Sequence, residues 1–167
     1  CYHPKNYDDM VRGPVSLRTA LAQSLNIPAV KLLYLAGISD SIRTAQDLGI
    51  STLTNPKRYG LSLVLGGGEV TLFEMTSALG AFGQDGVRHP PRSILQVKNA
   101  EGEILEHAKE SSIQAIDTEV ARAINDILSD NDARVPAFSP SSALHVPGRT
   151  VAVKTGTSQD YRDAWTI

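Results

Sequence analysis

The stretch Thr150-Val151-Ala152-Val153-Lys154-Thr155-Gly156-Thr157 decides how the rest of the chain is read. Val151 and Val153 alternate with Thr150 and Ala152, the period of two that marks a strand with a buried face. Its Lys-Thr-Gly-Thr ending is suited to holding an anion. On such a strand Lys154 and Gly156 point one way while Thr155 and Thr157 point the other. A cation, two hydroxyls and an approachable backbone are thereby gathered within about 10 Å. Taken alone, a lysine on a strand edge is as readily a solvated guard against aggregation. Other segments must decide between the two.

Downstream, Ala164-Trp165-Thr166-Ile167 reads as the antiparallel partner, joined by the polar turn Ser158 to Asp163. Upstream, Val135 to Gly148 is rich in proline and serine and reads as a loop. Before it, Thr118 to Ser129 predicts a helix capped by Asp117, with Val120, Ile124, Ile127 and Leu128 as its apolar stripe. Residues 93–107 read as a hairpin bent at Asn99-Ala100-Glu101-Gly102. Thr71 and Glu74 predict a capping box for a helix burying Leu72, Met75, Leu79 and Phe82, after which Asp85-Gly86 turns the chain. Gly66-Gly67-Gly68 lacks both the Gly-Lys-Ser/Thr ending of a P-loop and the spacing of a dinucleotide loop. It reads as backbone passing close to a neighbour.

Cys1 to Pro14 is an extended lead-in, and Ser16 then caps a helix with Leu17, Ala20, Leu21 and Leu25 at helical spacing. That helix is expected to stop near Asn26, because Pro28 pushes Ile27 out of the α region. Pro28 opens a second helix that buries Val30, Leu32, Leu33 and Leu35 and ends at Gly37. A third runs from Ser41 to Leu48 and closes at Gly49. The break leaves Ser24-Leu25-Asn26 at a helix junction, where Ser24 and Asn26 can turn toward one cavity. The same two residues also suit a plain helix-terminus cap. A lysine beside a serine hydroxyl can pass protons once burial or neighbouring charge lowers its pKa.

Composition narrows the function classes. A chain of 167 residues fits one domain, and 41% apolar with 20% charged residues is an ordinary globular balance. A formal net charge of −2 supplies no basic field, so nucleic acid is not an expected partner. His3, His89, His107 and His145 are scattered, so no metal site is expected, and no cofactor motif is present. Cys1 is the single cysteine and cannot form an internal disulfide. The longest apolar stretch, near Leu32 to Ile38, is too short to span a bilayer, and no signal segment opens the sequence.

Three long segments settle the balance. Residues 13–30 (Gly-Pro-Val-Ser-Leu-Arg-Thr-Ala-Leu-Ala-Gln-Ser-Leu-Asn-Ile-Pro-Ala-Val), 65–75 (Leu-Gly-Gly-Gly-Glu-Val-Thr-Leu-Phe-Glu-Met) and 154–165 (Lys-Thr-Gly-Thr-Ser-Gln-Asp-Tyr-Arg-Asp-Ala-Trp) resemble the transpeptidase domain of class A penicillin-binding proteins. The resemblance covers essentially the whole chain. It implies a serine D,D-transpeptidase that cross-links peptidoglycan stem peptides ending in D-Ala-D-Ala and is acylated by β-lactam antibiotics. It also implies a membrane-anchored parent on the extracytoplasmic face of the cell envelope, with a separate glycosyltransferase domain. The Ser-x-Asn and Lys-Thr-Gly tripeptides belong to one motif set in that superfamily.

Carried over residue by residue, Ser24 would relay a proton between the reacting centre and Lys154. Asn26 would bond the donor peptide's backbone and help orient the lysine. The hydroxyls of Thr155 and Thr157, beside Gly156, would bind the terminal carboxylate, and the Thr157 N–H would form half of an oxyanion hole. Arg162, Asp163 and Trp165 match the family's following segment and are expected to pack and form salt bridges. The family's nucleophile lies in a Ser-x-x-Lys motif upstream of the Ser-x-Asn, and no such motif occurs in these 167 residues. The expectation is therefore a partial transpeptidase domain, residues 1–167, cut at both ends and unable to form an acyl-enzyme alone.

The expected fold is mixed α/β (α+β), an incomplete penicillin-binding-protein or β-lactamase-like fold with a helical cluster beside a small antiparallel sheet. A D,D-carboxypeptidase or β-lactamase would use similar motifs with water as acceptor. A non-catalytic module would keep only the carboxylate pocket.

Overall fold

The computed structural model describes residues 2–158 and 162–167. Six helices and three two-stranded antiparallel ribbons follow one another along the described residues. The helices are α1 (Leu17–Ala22), α2 (Asn26–Ala36), α3 (Ile38–Asp47), α4 (Leu72–Phe82), α5 (Thr118–Ser129) and α6 (Asn131–Phe138). The strands are β1 (Val87–Arg88), β2 (Gln96–Lys98), β3 (Ile104–His107), β4 (Ile113–Gln114), β5 (Thr155–Thr157) and β6 (Ala164–Thr166). They pair as β1 with β4, β2 with β3, and β5 with β6. The mixed class is as expected, but the β portion is three separate ribbons rather than one sheet.

Local chemistry explains most of the elements. Ser16 accepts from the Thr19 N–H to start α1, and Asp117 accepts from Glu119 and Val120 to start α5. Gly37, at φ +85°, separates α2 from α3, which begins at Ile38, three residues earlier than expected. Thr71 caps α4 through the Glu74 N–H, but the capping box is only half made. The Glu74 carboxylate instead accepts from the Ser51 N–H at 3.0 Å and the Ser51 hydroxyl at 2.6 Å, which lowers its pKa. The glycine run does bring backbone close to neighbours, since a Cβ on Gly67 would lie 2.8 Å from the Ser62 carbonyl oxygen.

The main core lies where α3 meets α4, built from Ile42, Leu48, Ile50, Leu53, Ala78 and Ala81. Small residues rather than the expected large ones carry the buried face of α4. Leu72 is exposed, while Met75 and Phe82 pack at the core's margin. In α2, Val30 and Leu33 are buried as expected, but Leu32 and Leu35 face outward. In α5 the most buried residue is Ala121, and Val120 is exposed.

A second packing centre supports the site. There α1 lies against α5 and α6. Arg18 of α1 pairs with Asp126 and, at 2.9 Å, with Asp130. The Asn125 side chain donates to the Phe82 carbonyl at 2.7 Å and ties α5 to the end of α4.

Two boundaries differ from expectation in a way that shapes the site. The break between the first two helices falls at 23–25, and Ile27 is helical. Pro28 occupies the first turn of α2, where a missing N–H costs no hydrogen bond. Residues 135–138, expected as the start of a loop, belong instead to helix α6 despite Pro136, and Asp130 caps that helix through the Ala133 N–H.

Candidate functional site

The end of α1 is a Schellman turn. Leu25 N–H donates to the Ala20 carbonyl at 2.9 Å and Ser24 N–H to the Leu21 carbonyl at 3.1 Å. The residue at the turning point must be left-handed, and glycine is the usual occupant. Here it is Ser24, at φ +55°. A hydroxyl is thus held at a fixed, mildly strained corner, free of helix hydrogen bonding.

The strand that meets it is shorter than the sequence pattern suggests. Only Thr155–Thr157 is strand, and Val151 is exposed while Val153 is buried. The ladder with β6 pairs Thr155 with Thr166, Gly156 with Trp165 and Thr157 with Ala164. Lys154 and Ile167 exchange both backbone bonds, at 2.7 and 3.0 Å, and the Ser158 N–H donates to the Asp163 carbonyl at 2.9 Å. Alternation along an antiparallel ladder therefore turns the N–H and C=O of Val153, Thr155 and Thr157 toward the opposite edge. At Val153 that edge meets the last turn of α5. The Val153 N–H is taken there by the Leu128 carbonyl at 3.0 Å.

Lys154 closes the gap between the two elements. Its Nζ donates to Ser24 Oγ at 2.7 Å and to the Thr155 carbonyl at 2.6 Å. Burial holds the Lys154 pKa below the ordinary lysine value, and among the described residues no carboxylate offsets it. Behind the pair lies a small pocket of about 10 Å³, roughly room for one water. Ser24, Lys154 and Thr155 line it together with Arg134, Phe138 and Val153.

The predicted residues divide accordingly. Ser24, Lys154 and Thr155 meet across 130 residues of sequence. Gly156 and Thr157 lie on the exposed continuation of the edge. Asn26 is directed elsewhere: its Nδ2 donates to the Lys5 carbonyl at 2.8 Å, and among the described residues it makes no hydrogen bond to Lys154. Buried Asn6 completes this anchor, accepting from the Ile27 N–H at 3.1 Å and donating to the Met10 carbonyl at 2.7 Å.

The Asp163 N–H donates to the Ser158 hydroxyl at 2.8 Å. Trp165 is half-buried, and residues 159–161 of the expected turn lie outside the described residues. Among the described residues no cluster of His, Cys, Asp or Glu could hold a metal ion. Nor is any helix there long and apolar enough to cross a membrane. Arg134 escaped the sequence reading, and the cap Asp130 was the available signal for its helix.

The family described as penicillin binding protein transpeptidase domain matches residues 2–165. Penicillin-binding protein 1A of Aquifex aeolicus is 34% identical over 164 residues, covering 98% of this chain and 22% of that protein. Penicillin-binding protein 1C of Escherichia coli is 33% identical over 172 residues, covering 99% and 20%. The chain thus spans about a fifth of the length of these relatives. Among solved structures, penicillin-binding protein A from M. tuberculosis, an imipenem acyl-enzyme complex, shares the fold with a TM-score of 0.77 at 20% identity. That match covers 96% of this chain and 41% of the other.

Proposed function

Because this chain belongs to the penicillin-binding protein transpeptidase family, we propose that it carries the Ser-x-Asn and Lys-Thr-Gly elements of a serine D,D-transpeptidase. The reaction is cross-linking of peptidoglycan stem peptides through an acyl-enzyme. The observation that carries this reading is the 2.7 Å contact from Lys154 Nζ to Ser24 Oγ, made by a lysine whose pKa burial lowers. A hydroxyl in contact with a lysine that gives up its proton readily is a proton relay.

In this reading the attacking serine belongs to a Ser-x-x-Lys motif, which these 167 residues do not contain. As its oxygen bonds to the carbonyl carbon of the penultimate D-Ala, the proton of the attacking serine passes through Ser24 and Lys154 to the amine of the terminal D-Ala, whose C–N bond breaks. The acceptor amine then attacks the acyl-enzyme and the relay runs in reverse. The Thr157 N–H, turned to the open edge by the ladder, supplies one oxyanion donor, a contact worth about 3 kcal/mol in the transition state. The Thr155 and Thr157 hydroxyls receive the terminal carboxylate beside Gly156, which has no side chain to obstruct it. Asn26, once a donor peptide lies along the cleft, bonds its backbone. β-Lactams acylate the same serine. The protein works at the extracytoplasmic face of the cell envelope, within a membrane-anchored parent that has a glycosyltransferase domain.

Mass spectrometry after penicillin treatment tests the reading. The intact protein should gain one adduct on a serine of a Ser-x-x-Lys motif, and the 167-residue chain alone should gain none. A folded intact protein that takes up no adduct would refute an enzyme and leave a carboxylate-binding module.

A further inference from the structure

Helix α6 reaches the helical half of the site directly and the strand half through Leu128 of α5, in each case one residue away from the reacting side chain. On the helical side, Gln23, immediately before Ser24, donates from Nε2 to the Ala133 carbonyl at 3.2 Å. On the strand side, Val153, immediately before Lys154, donates to the Leu128 carbonyl, and that same oxygen receives Arg134 Nη2. Leu128 stands in the last turn of α5, whose carbonyls have no intrahelical donor. Arg134 is 3% exposed, and its Nη1 reaches the Leu144 carbonyl at 3.5 Å. Its hydrogen-bond partners are carbonyls, and no carboxylate pairs with it among the described residues.

Burying a guanidinium is costly unless its donors are used, and an apolar side chain would fill the same space without that cost. What an apolar residue could not do is fix one carbonyl while bridging to a second. The oxygen that Arg134 fixes is the one clamping the free edge of the Lys154 strand, and Arg134 also lines the pocket shared by Ser24 and Lys154.

We propose that α6 is the bracket that sets the distance between Ser24 and Lys154, with Arg134 as its positioning residue. The inference rests on the transpeptidase reading above. Arg134 touches no reacting atom. It acts by holding Leu128, and the Gln23–Ala133 bond holds the opposite arm. A displacement of about 1 Å in such a pair can slow a reaction about 100-fold.

The test uses the intact protein and a fluorescent penicillin, with variants Arg134→Met, Arg134→Lys and Gln23→Leu. Three quantities are read: the saturating acylation rate constant, the half-saturating concentration, and the endpoint of labelling. The endpoint counts competent molecules, so a poor folding yield does not mimic a slow site. Arg134→Met should lower the saturating rate constant about 10- to 100-fold while leaving the half-saturating concentration within about threefold. Arg134→Lys, which can still reach one carbonyl, should recover part of the loss. An unchanged rate constant at a measurable endpoint overturns the proposal. If neither Arg134 variant labels, Gln23→Leu decides: a slowing of about 10-fold supports the bracket, and a rate within about twofold of wild type overturns it. An unlabelled wild type would instead defeat the transpeptidase reading itself.

Discussion

Replacing Ser24 by glycine and by alanine separates the backbone strain of this residue from its chemistry. At φ +55° a residue with a Cβ costs about 1 kcal/mol relative to glycine. The hydrogen bond from the Lys154 ammonium contributes about 1.5–3 kcal/mol, as charge-assisted bonds do. Ser24→Ala loses that bond and keeps the strain, so stability should fall by about 2 kcal/mol. Ser24→Gly loses the same bond but relieves the corner, and should be about 1 kcal/mol more stable than the alanine variant. Both lack the hydroxyl, so both should acylate about 10²- to 10⁴-fold more slowly. Denaturant unfolding and penicillin acylation of the intact protein read the two effects separately. A glycine variant no more stable than the alanine one would contradict the left-handed turn. Acylation within about threefold of wild type in either would contradict the relay.

The pH dependence follows from Lys154. Its lowered pKa means that the unfolded chain keeps a proton the folded site has released, between the lowered and the ordinary lysine value. The contribution of Lys154 to stability therefore rises with pH through that window. Acylation should rise as Nζ deprotonates over the same climb, and a pH–rate profile should lose this limb in Lys154→Arg, which stays charged. Gly67→Ala sets a Cβ 2.8 Å from a backbone oxygen and should destabilise by about 1–3 kcal/mol in denaturant unfolding. Asp117→Ala removes the cap that accepts from two N–H groups of α5 and should cost about 1 kcal/mol in the same assay.

Those caps were among the features legible in the sequence. Ser16, Thr71 and Asp117 each do what their side chains suggest, and the bounds of α5 fall where Asp117 and its apolar stripe place them. Legibility failed where tertiary contact overrode local pattern. Val151 and Val153 alternate as a strand would, yet the ladder begins only at the Lys154–Ile167 pair, and Val153 turns its N–H to the Leu128 carbonyl of α5 on the opposite edge. Pro136 masked α6, since proline is rarely tolerated inside a helix, although Asp130 signalled its start. Pro28 misplaced the break after α1 because it lies in a first turn rather than ending a helix. For the site, sequence order brought Ser24 and Lys154 forward as a pair, but no local signal could have shown that Asn26 is engaged by Lys5.

The most direct test of the central claim compares fluorescent-penicillin labelling of the intact wild-type protein with that of Lys154→Ala. If Lys154 and Ser24 form the proton relay of a transpeptidase site, the wild type labels stoichiometrically, and the variant, still folded, labels at least about 100-fold more slowly. A folded Lys154→Ala protein that labels at the wild-type rate would contradict the account.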